Sequence, residues 1–273
     1  LLLEVKIAVV TPLFGGGAEP RLVDPEMPIR GSAVRGHLRF WWRACNAHRF
    51  ATAAALFAEE AKIWGKTHRD TDSIAGPSAV DIEVEITDRK AIEQTPCAKY
   101  QERISKGPQL QWLLGQSPDP FDALGYALFP FQGKLDGGTV VEAPANMLRN
   151  VSFCLRLFRS TGRLNLTDVD LLRAIEQAVW AWLIFGGVGA RTRRGCGSLF
   201  CASNDERFRP PEDVNGAVPW LERRRNALIG QDDPLDDSRI PALRHASLLL
   251  QPVVATPTAA WRSAIGALRH HRQ

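Results

Sequence analysis

The chain has 273 residues, 45% hydrophobic and 23% charged, which supplies one large core or two small ones and excludes a disordered chain. With 34 Lys and Arg against 30 Asp and Glu, the net charge is +4, too mild to argue for nucleic acid by itself. No window approaches the roughly 18 unbroken apolar residues that a spanning helix needs, so no membrane partner is expected.

Residues 3 to 11 alternate in a Val- and Ile-rich run, a strand, which breaks at Thr11-Pro12 and enters a loop through Gly15-Gly16-Gly17, Pro20, Pro25 and Pro28. Ser32 to Lys62 reads as one long helix or a broken pair, ended by Gly65. Val80 to Thr87 alternates apolar with acidic residues, as a strand with one buried face does. Residues 95 to 150 mix Pro, Gly and aromatic residues with short apolar runs, and the expectation is an insertion with one strand. Residues 151 to 158 alternate again. Thr167, with Asp170 three positions on, then starts a helix that reaches Phe185, its apolar face set by Leu172, Ile175, Val179 and Trp182. Gly186-Gly187 stops it, and residues 198 to 202 form a short strand.

This order is strand, helix, strand, strand, helix, strand. It predicts an α+β, ferredoxin-like (RRM-like) βαββαβ domain over residues 1 to 203, with the insertion at about 95 to 150. Sheets of this kind often bind RNA. Residues 204 to 273 offer a helix near Pro219 to Ile229, a strand near Ala246 to Val254 and a helix near Thr258 to Arg269, expected to form a second, partial ferredoxin-like domain or part of one.

Two segments carry chemistry. In residues 29 to 44, IRGSAVRGHLRFWWRA, the residues Arg35, Arg39 and Arg43 recur every four positions and share one helix face. Val34, Leu38, Trp41 and Cys45 form a neighbouring face suited to the core, while Trp42 sits at the border of the basic face, where an indole stacks a base beside guanidiniums. The alternative is an ordinary solvated Arg face with a half-buried Trp. In residues 185 to 200, FGGVGARTRRGCGSLF, Gly186, Gly187, Gly189 and Gly195 let backbone N–H groups approach an anionic chain, and Arg191, Arg193 and Arg194 supply charge. The alternative here is a tight surface turn. The G-K-[ST] end of a P-loop is absent, and a helix rather than a strand precedes the glycines, so neither nucleotide fingerprint applies.

Cys45, Cys97, Cys154, Cys196 and Cys201 are odd in number and lack paired C-x-x-C spacing, so neither a disulfide framework nor a zinc site is indicated. A reduced cytoplasm fits. The opening LLLEVKIAVV lacks the three-part pattern of a secretory signal, and a few residues are expected to precede Leu1.

Taken in order, T-P-L-F-x-G-G near the start, I-R-G-x-x-x-G-x-L-R-F-W-W-R-A on the first helix, I-W-G before a strand and F-G-G-V-G-A-R-T-R-R-G-x-G-S resemble the first-subunit family of the Cmr (type III-B CRISPR) effector complexes, within the RAMP superfamily. The resemblance covers about residues 3 to 202. Cys196 stands where an aromatic residue is usual, and nothing after 203 matches. The resemblance implies a RAMP fold with no metal and no cofactor, contacting CRISPR RNA near its 3′ end or single-stranded target RNA, with other Cmr subunits as partners in antiviral defence. Its RNA-contacting candidates are Arg30, Arg35, Arg39, Trp42, Arg43 and the Arg191 to Arg194 loop with its glycines.

Because some RAMP proteins cut RNA, Asp24 and His37 are acid-base candidates. Each is a lone signal without a visible partner, so a non-catalytic role is expected. A metal-independent RAMP endoribonuclease and a protein-protein adaptor remain the alternatives.

Overall fold

A computed structural model describes residues 1–15, 17, 21–66, 76–101, 108–114, 123–161, 166–230, 242–247 and 254–271. In chain order the elements are β1 Leu3–Val9, α1 Gly31–Asn46, α2 Ala53–Trp64, β2 Val80–Ile86, β3 Glu93–Pro96, β4 Ala98–Gln101, β5 Gln109–Trp112 and α3 Ala123–Leu128. There follow β6 Lys134–Asp136, β7 Thr139–Glu142, β8 Asn146–Arg149, β9 Ser152–Arg159, α4 Asp168–Phe185, β10 Leu199–Cys201, α5 Val214–Ile229 and α6 Pro257–His271.

Four of these strands make one sheet in the order β10-β1-β9-β2. β9 lies antiparallel to both β1 and β2, with Glu4 opposite Arg156 and Arg156 opposite Glu83, and β10 lies antiparallel to β1. With α1 between the first two of these strands and α4 between the last two, this is the ferredoxin-like βαββαβ arrangement. Leu3, Val5 and Ile7 face the helices and are buried, while Glu4 and Lys6 are exposed. This alternation is what a half-buried strand requires.

The stretch 32 to 62 is a broken pair. α1 ends in a 3-10 turn, Ala47–Arg49, and α2 begins afresh where the Thr52 hydroxyl accepts from the Ala55 N–H. Thr167 caps α4 in the same way, accepting from the Asp170 N–H. Ile175, Val179 and Trp182 are buried as their spacing requires, and Leu171 rather than Leu172 completes the face. A buried amide pair joins the helices: Asn46 Nδ2 donates to Gln177 Oε1 at 2.6 Å, and Gln177 Nε2 donates to the Leu228 carbonyl at 2.7 Å.

The insertion departs from expectation. Instead of one strand it holds β3 to β8, paired as β3-β8, β4-β5 and β6-β7. β6 and β7 turn through Gly137 and Gly138, both at positive φ, a hairpin signal present in the sequence. β3 and β8 are far apart in the chain and only four residues long, so local alternation could not announce them. Residues 102–107 and 115–122 lie outside the described residues, as does Gly16.

Of the expected elements after 203, α5 starts earlier, at Val214, because Asp213 caps it by accepting from the Gly216 N–H at 2.7 Å. α5 contributes Trp220, Leu221, Leu228 and Ile229 to the main core. α6 contributes Trp261 and Ile265 to a smaller cluster with Phe14, Leu128, Phe131 and Cys196. Residues 248–253 of the expected strand lie outside the described residues.

Candidate nucleic-acid interface

The α1 arginines share a face, as their spacing requires, but they are committed to the protein. Arg39 Nε lies 2.5 Å from Glu60 Oε1, and Arg43 NH1 lies 2.7 and 2.8 Å from the two Glu60 oxygens. The Glu60 side chain is wholly buried. Arg35 NH1 donates to the Val80 carbonyl at 3.1 Å, and burial depresses its pKa. Glu60 was missed by sequence reasoning, yet the signal was there: Leu56, Glu60, Ile63 and Trp64 fall on one helical face, and an acid in such a stripe calls for buried cations.

Trp42 is a correction. It was expected at the border of the basic face, open to a base, and it is 5% exposed in the main core. The border is interior in the folded chain, with Trp42 packed in the main core, so this indole offers no face to a ligand. Trp41, expected in the core, is half-buried, and its ring lies 6.1 Å from that of Phe185. Phe40, which sequence reasoning passed over, is 53% exposed.

The glycine-rich loop is built against the T-P-L-F segment. Thr11 Oγ1 donates to the Gly195 carbonyl at 2.6 Å and accepts from the Ser198 N–H at 2.8 Å. The Gly197 N–H donates to the Pro12 carbonyl at 3.0 Å, and the Ala190 N–H donates to the Phe14 carbonyl at 2.7 Å. A Cβ on Gly197, at φ +64°, would lie 1.9 Å from the Val188 carbonyl oxygen. Gly186 and Gly187 are also close-packed, Gly186 under the Trp41 and Trp182 side chains and Gly187 against the backbone of Cys196 and Gly197. The loop's outer side is Gly189 to Gly195.

Its arginines differ in their freedom. Arg191, at φ 58°, donates from Nε to the Ala127 carbonyl. Arg194 lies 4.8 Å over the Tyr126 ring, and its carbonyl accepts from Trp261 Nε1 at 2.6 Å. Arg193 is exposed and, among the described residues, has no bonded partner. Among the described residues, Arg30, before the first turn of α1, is held only by Asp24 Oδ2 at 3.4 Å.

The two basic groups do not merge into one cleft. Arg35 leans on β2 at one edge of the sheet, whereas the glycine-rich loop feeds β10 at the other, about 14 Å away at the usual strand spacing. Helix geometry agrees. His37 and Trp41, roughly 200° round α1 from Arg35 and Arg39, are the residues that meet Trp182 and Gly186. The open face of the sheet is unsuited to phosphate, because Glu4, Asp81, Glu83 and Glu85 outnumber Lys6 and Arg156 there.

Asp24 Oδ1 accepts from the Glu26 and Met27 N–H groups, each at 3.0 Å, and these bonds with Arg30 hold its carboxyl below the usual range. His37 stacks on Trp182 with ring centroids 5.8 Å apart, and burial lowers its pKa. No bond joins the two among the described residues. Nor do those residues contain a His, Cys, Asp and Glu group able to hold a metal, and no described helix is long and apolar enough to cross a membrane.

No curated protein matches the chain. Among solved structures, Cmr1 from Pyrococcus furiosus in its apo form is 20% identical, with a TM-score of 0.48, over 82% of this chain and 58% of that one. A chain of the Type III-B Cmr-beta complex bound to cognate target RNA and AMPPnP in the presence of ssDNA is 16% identical, with a TM-score of 0.51, over 88% and 66%. A chain of Cmr-beta bound to cognate target RNA is 14% identical, with a TM-score of 0.49, over 87% and 64%. The chain thus spans less than two thirds of each of these proteins. The family model of the RAMP superfamily matches residues 6–200, with both the first helix and the glycine-rich loop inside it, and the chain belongs to the RAMP superfamily.

Proposed function

We propose that this chain is the first subunit, or the greater part of it, of a type III-B (Cmr) CRISPR ribonucleoprotein, and that it binds RNA without cutting it. The observation that carries the reading is the loop cluster at the end of β1. There the T-P-L-F segment and the glycine-rich loop are bonded into one unit that presents Arg193 without a partner among the described residues. Membership of the RAMP superfamily and the resemblance of the R-F-W-W-R helix supply the context. The ligand is the CRISPR RNA near its 3′ end or the single-stranded target, with other Cmr subunits as neighbours and the cytoplasm as the setting.

Within this reading the contacts are Arg30, Arg193 and the outer backbone of the loop. Arg39 and Arg43 hold α1 and α2 together first and lend only their remaining donors to a ligand. Asp24 is occupied by its own loop, which supports binding over cleavage.

The test is binding of the chain to mixed-sequence single-stranded RNA at two salt concentrations. Affinity should fall with salt, and Arg193→Ala should weaken binding and flatten the logarithmic salt slope by about 0.7. Binding that ignores both salt and Arg193→Ala would remove the RNA reading in favour of an adaptor. Cleavage of labelled RNA that is lost in Asp24→Ala or His37→Ala would overturn the non-catalytic role.

A further inference from the structure

Phe40 is a large apolar side chain left open on a helix whose other large apolar residues are wholly or partly buried. At about 100° per residue, Ala33, Gly36, Phe40 and Ala44 form the outward crest of α1, opposite the buried Val34, Leu38 and Cys45. Long helical side chains lean toward the N-terminus, which directs Phe40 toward the turn of Gly36 without closing over it. Gly36 has no side chain, and a Cβ built there would meet nothing within 4 Å. The shelf beside the ring is therefore clear.

Its two flanks differ. On one side the Trp41 ring stands at 88° to Phe40, with centroids 5.1 Å apart, and continues to Gly186 at the start of the glycine-rich loop. On the other side, Arg39 bonds Glu60 only through Nε and Arg43 only through NH1. Their other guanidinium N–H groups have no bonded partner among the described residues, and two cations against one carboxylate leave a net positive charge. An exposed ring that shares a helix flank with two guanidiniums keeping unbonded donors suits a nucleotide, the base on the ring and the phosphate on the donors.

We infer that Phe40 is the base-stacking residue of α1, taking one nucleotide of a single strand, with Arg39 and Arg43 on its phosphate. The inference rests on the RNA-binding reading above and gives α1 the stacking residue that helical spacing had assigned to Trp42.

The experiment uses the whole chain and a mixed-sequence single-stranded RNA carrying 2-aminopurine, with Phe40→Ala, Phe40→Leu and Phe40→Trp beside Arg193→Ala. Stacking predicts that Phe40→Ala and Phe40→Leu weaken binding roughly 5- to 150-fold, lose the 2-aminopurine quench and keep the wild-type melting temperature. Phe40→Trp should retain both affinity and quench. If Phe40→Leu binds and quenches as wild type while Arg193→Ala weakens binding, the Phe40 assignment falls and the RNA reading stands. If the wild-type chain binds no RNA, both fall. If Phe40→Ala keeps RNA affinity but loses other subunits in pull-down, Phe40 is a protein contact and the assignment is wrong.

Discussion

Replacing Glu60 with Gln tests whether the α1 arginines serve the fold before any ligand. The wild-type carboxylate is wholly buried and takes three short contacts, at 2.5, 2.7 and 2.8 Å, from Arg39 and Arg43. Gln keeps the shape but turns one acceptor into an N–H₂ donor aimed at donors, a mismatch costing about 1–3 kcal/mol as an unsatisfied buried group. Loss of the ion pair adds to this. The addition is less than the 3–5 kcal/mol of a fully buried pair, because the two arginines are 27% and 38% exposed and water replaces part of what they lose. The sum is about 2–4 kcal/mol, or roughly 5–12 °C in melting temperature for a chain of this size. Arg39→Ala together with Arg43→Ala should cost more than the two single changes added, since only the double variant strands the carboxylate. Thermal and urea unfolding followed by circular dichroism measure all of these. A Glu60→Gln melting temperature within 1 °C of wild type would falsify the argument that this ion cluster holds α1 to α2.

Trp42→Ala should cost about 3–5 kcal/mol by removing a core indole, so any loss of RNA binding should track the fraction unfolded in a urea titration and disappear when only folded protein is counted. Gly197→Ala must displace the Val188 carbonyl, and we expect either insoluble protein or a loop whose RNA affinity falls with the fold intact; unchanged affinity and melting temperature would contradict the packing described. For His37 the folded state holds the pKa below its ordinary 6.5 by burial, so the unfolded chain binds more protons as pH falls through about 6.5. Stability should therefore decline below that pH and level off once the folded imidazole also protonates. His37→Gln should flatten this part of the stability-pH curve, and an unchanged curve would assign the dependence elsewhere.

The elements of the ferredoxin-like domain were legible because each is announced locally. β1, β2 and β9 carry period-two alternation, Thr167 caps α4, and Gly186 and Gly187 end it. The motifs that place the chain in its superfamily are equally local, being short runs of Gly, Arg and Trp at fixed offsets. The insertion was not legible, because its strands are three or four residues long and β3 finds its partner in β8 across most of the insertion.

What the sequence determined alone is the set of elements and which residues of α1 share a face, since backbone geometry fixes both within a few residues. What tertiary structure decided is what each face meets. Helical spacing put Trp42 beside the arginines, but only packing by distant parts of the chain made that border interior, and only Glu60, seventeen residues beyond Arg43, turned a basic stripe into an internal ion cluster. Sheet order likewise set the first helix's arginines and the glycine-rich loop at opposite edges. The physical reason is the same in each case: burial depends on neighbours that arrive from far along the chain, and no local periodicity records them.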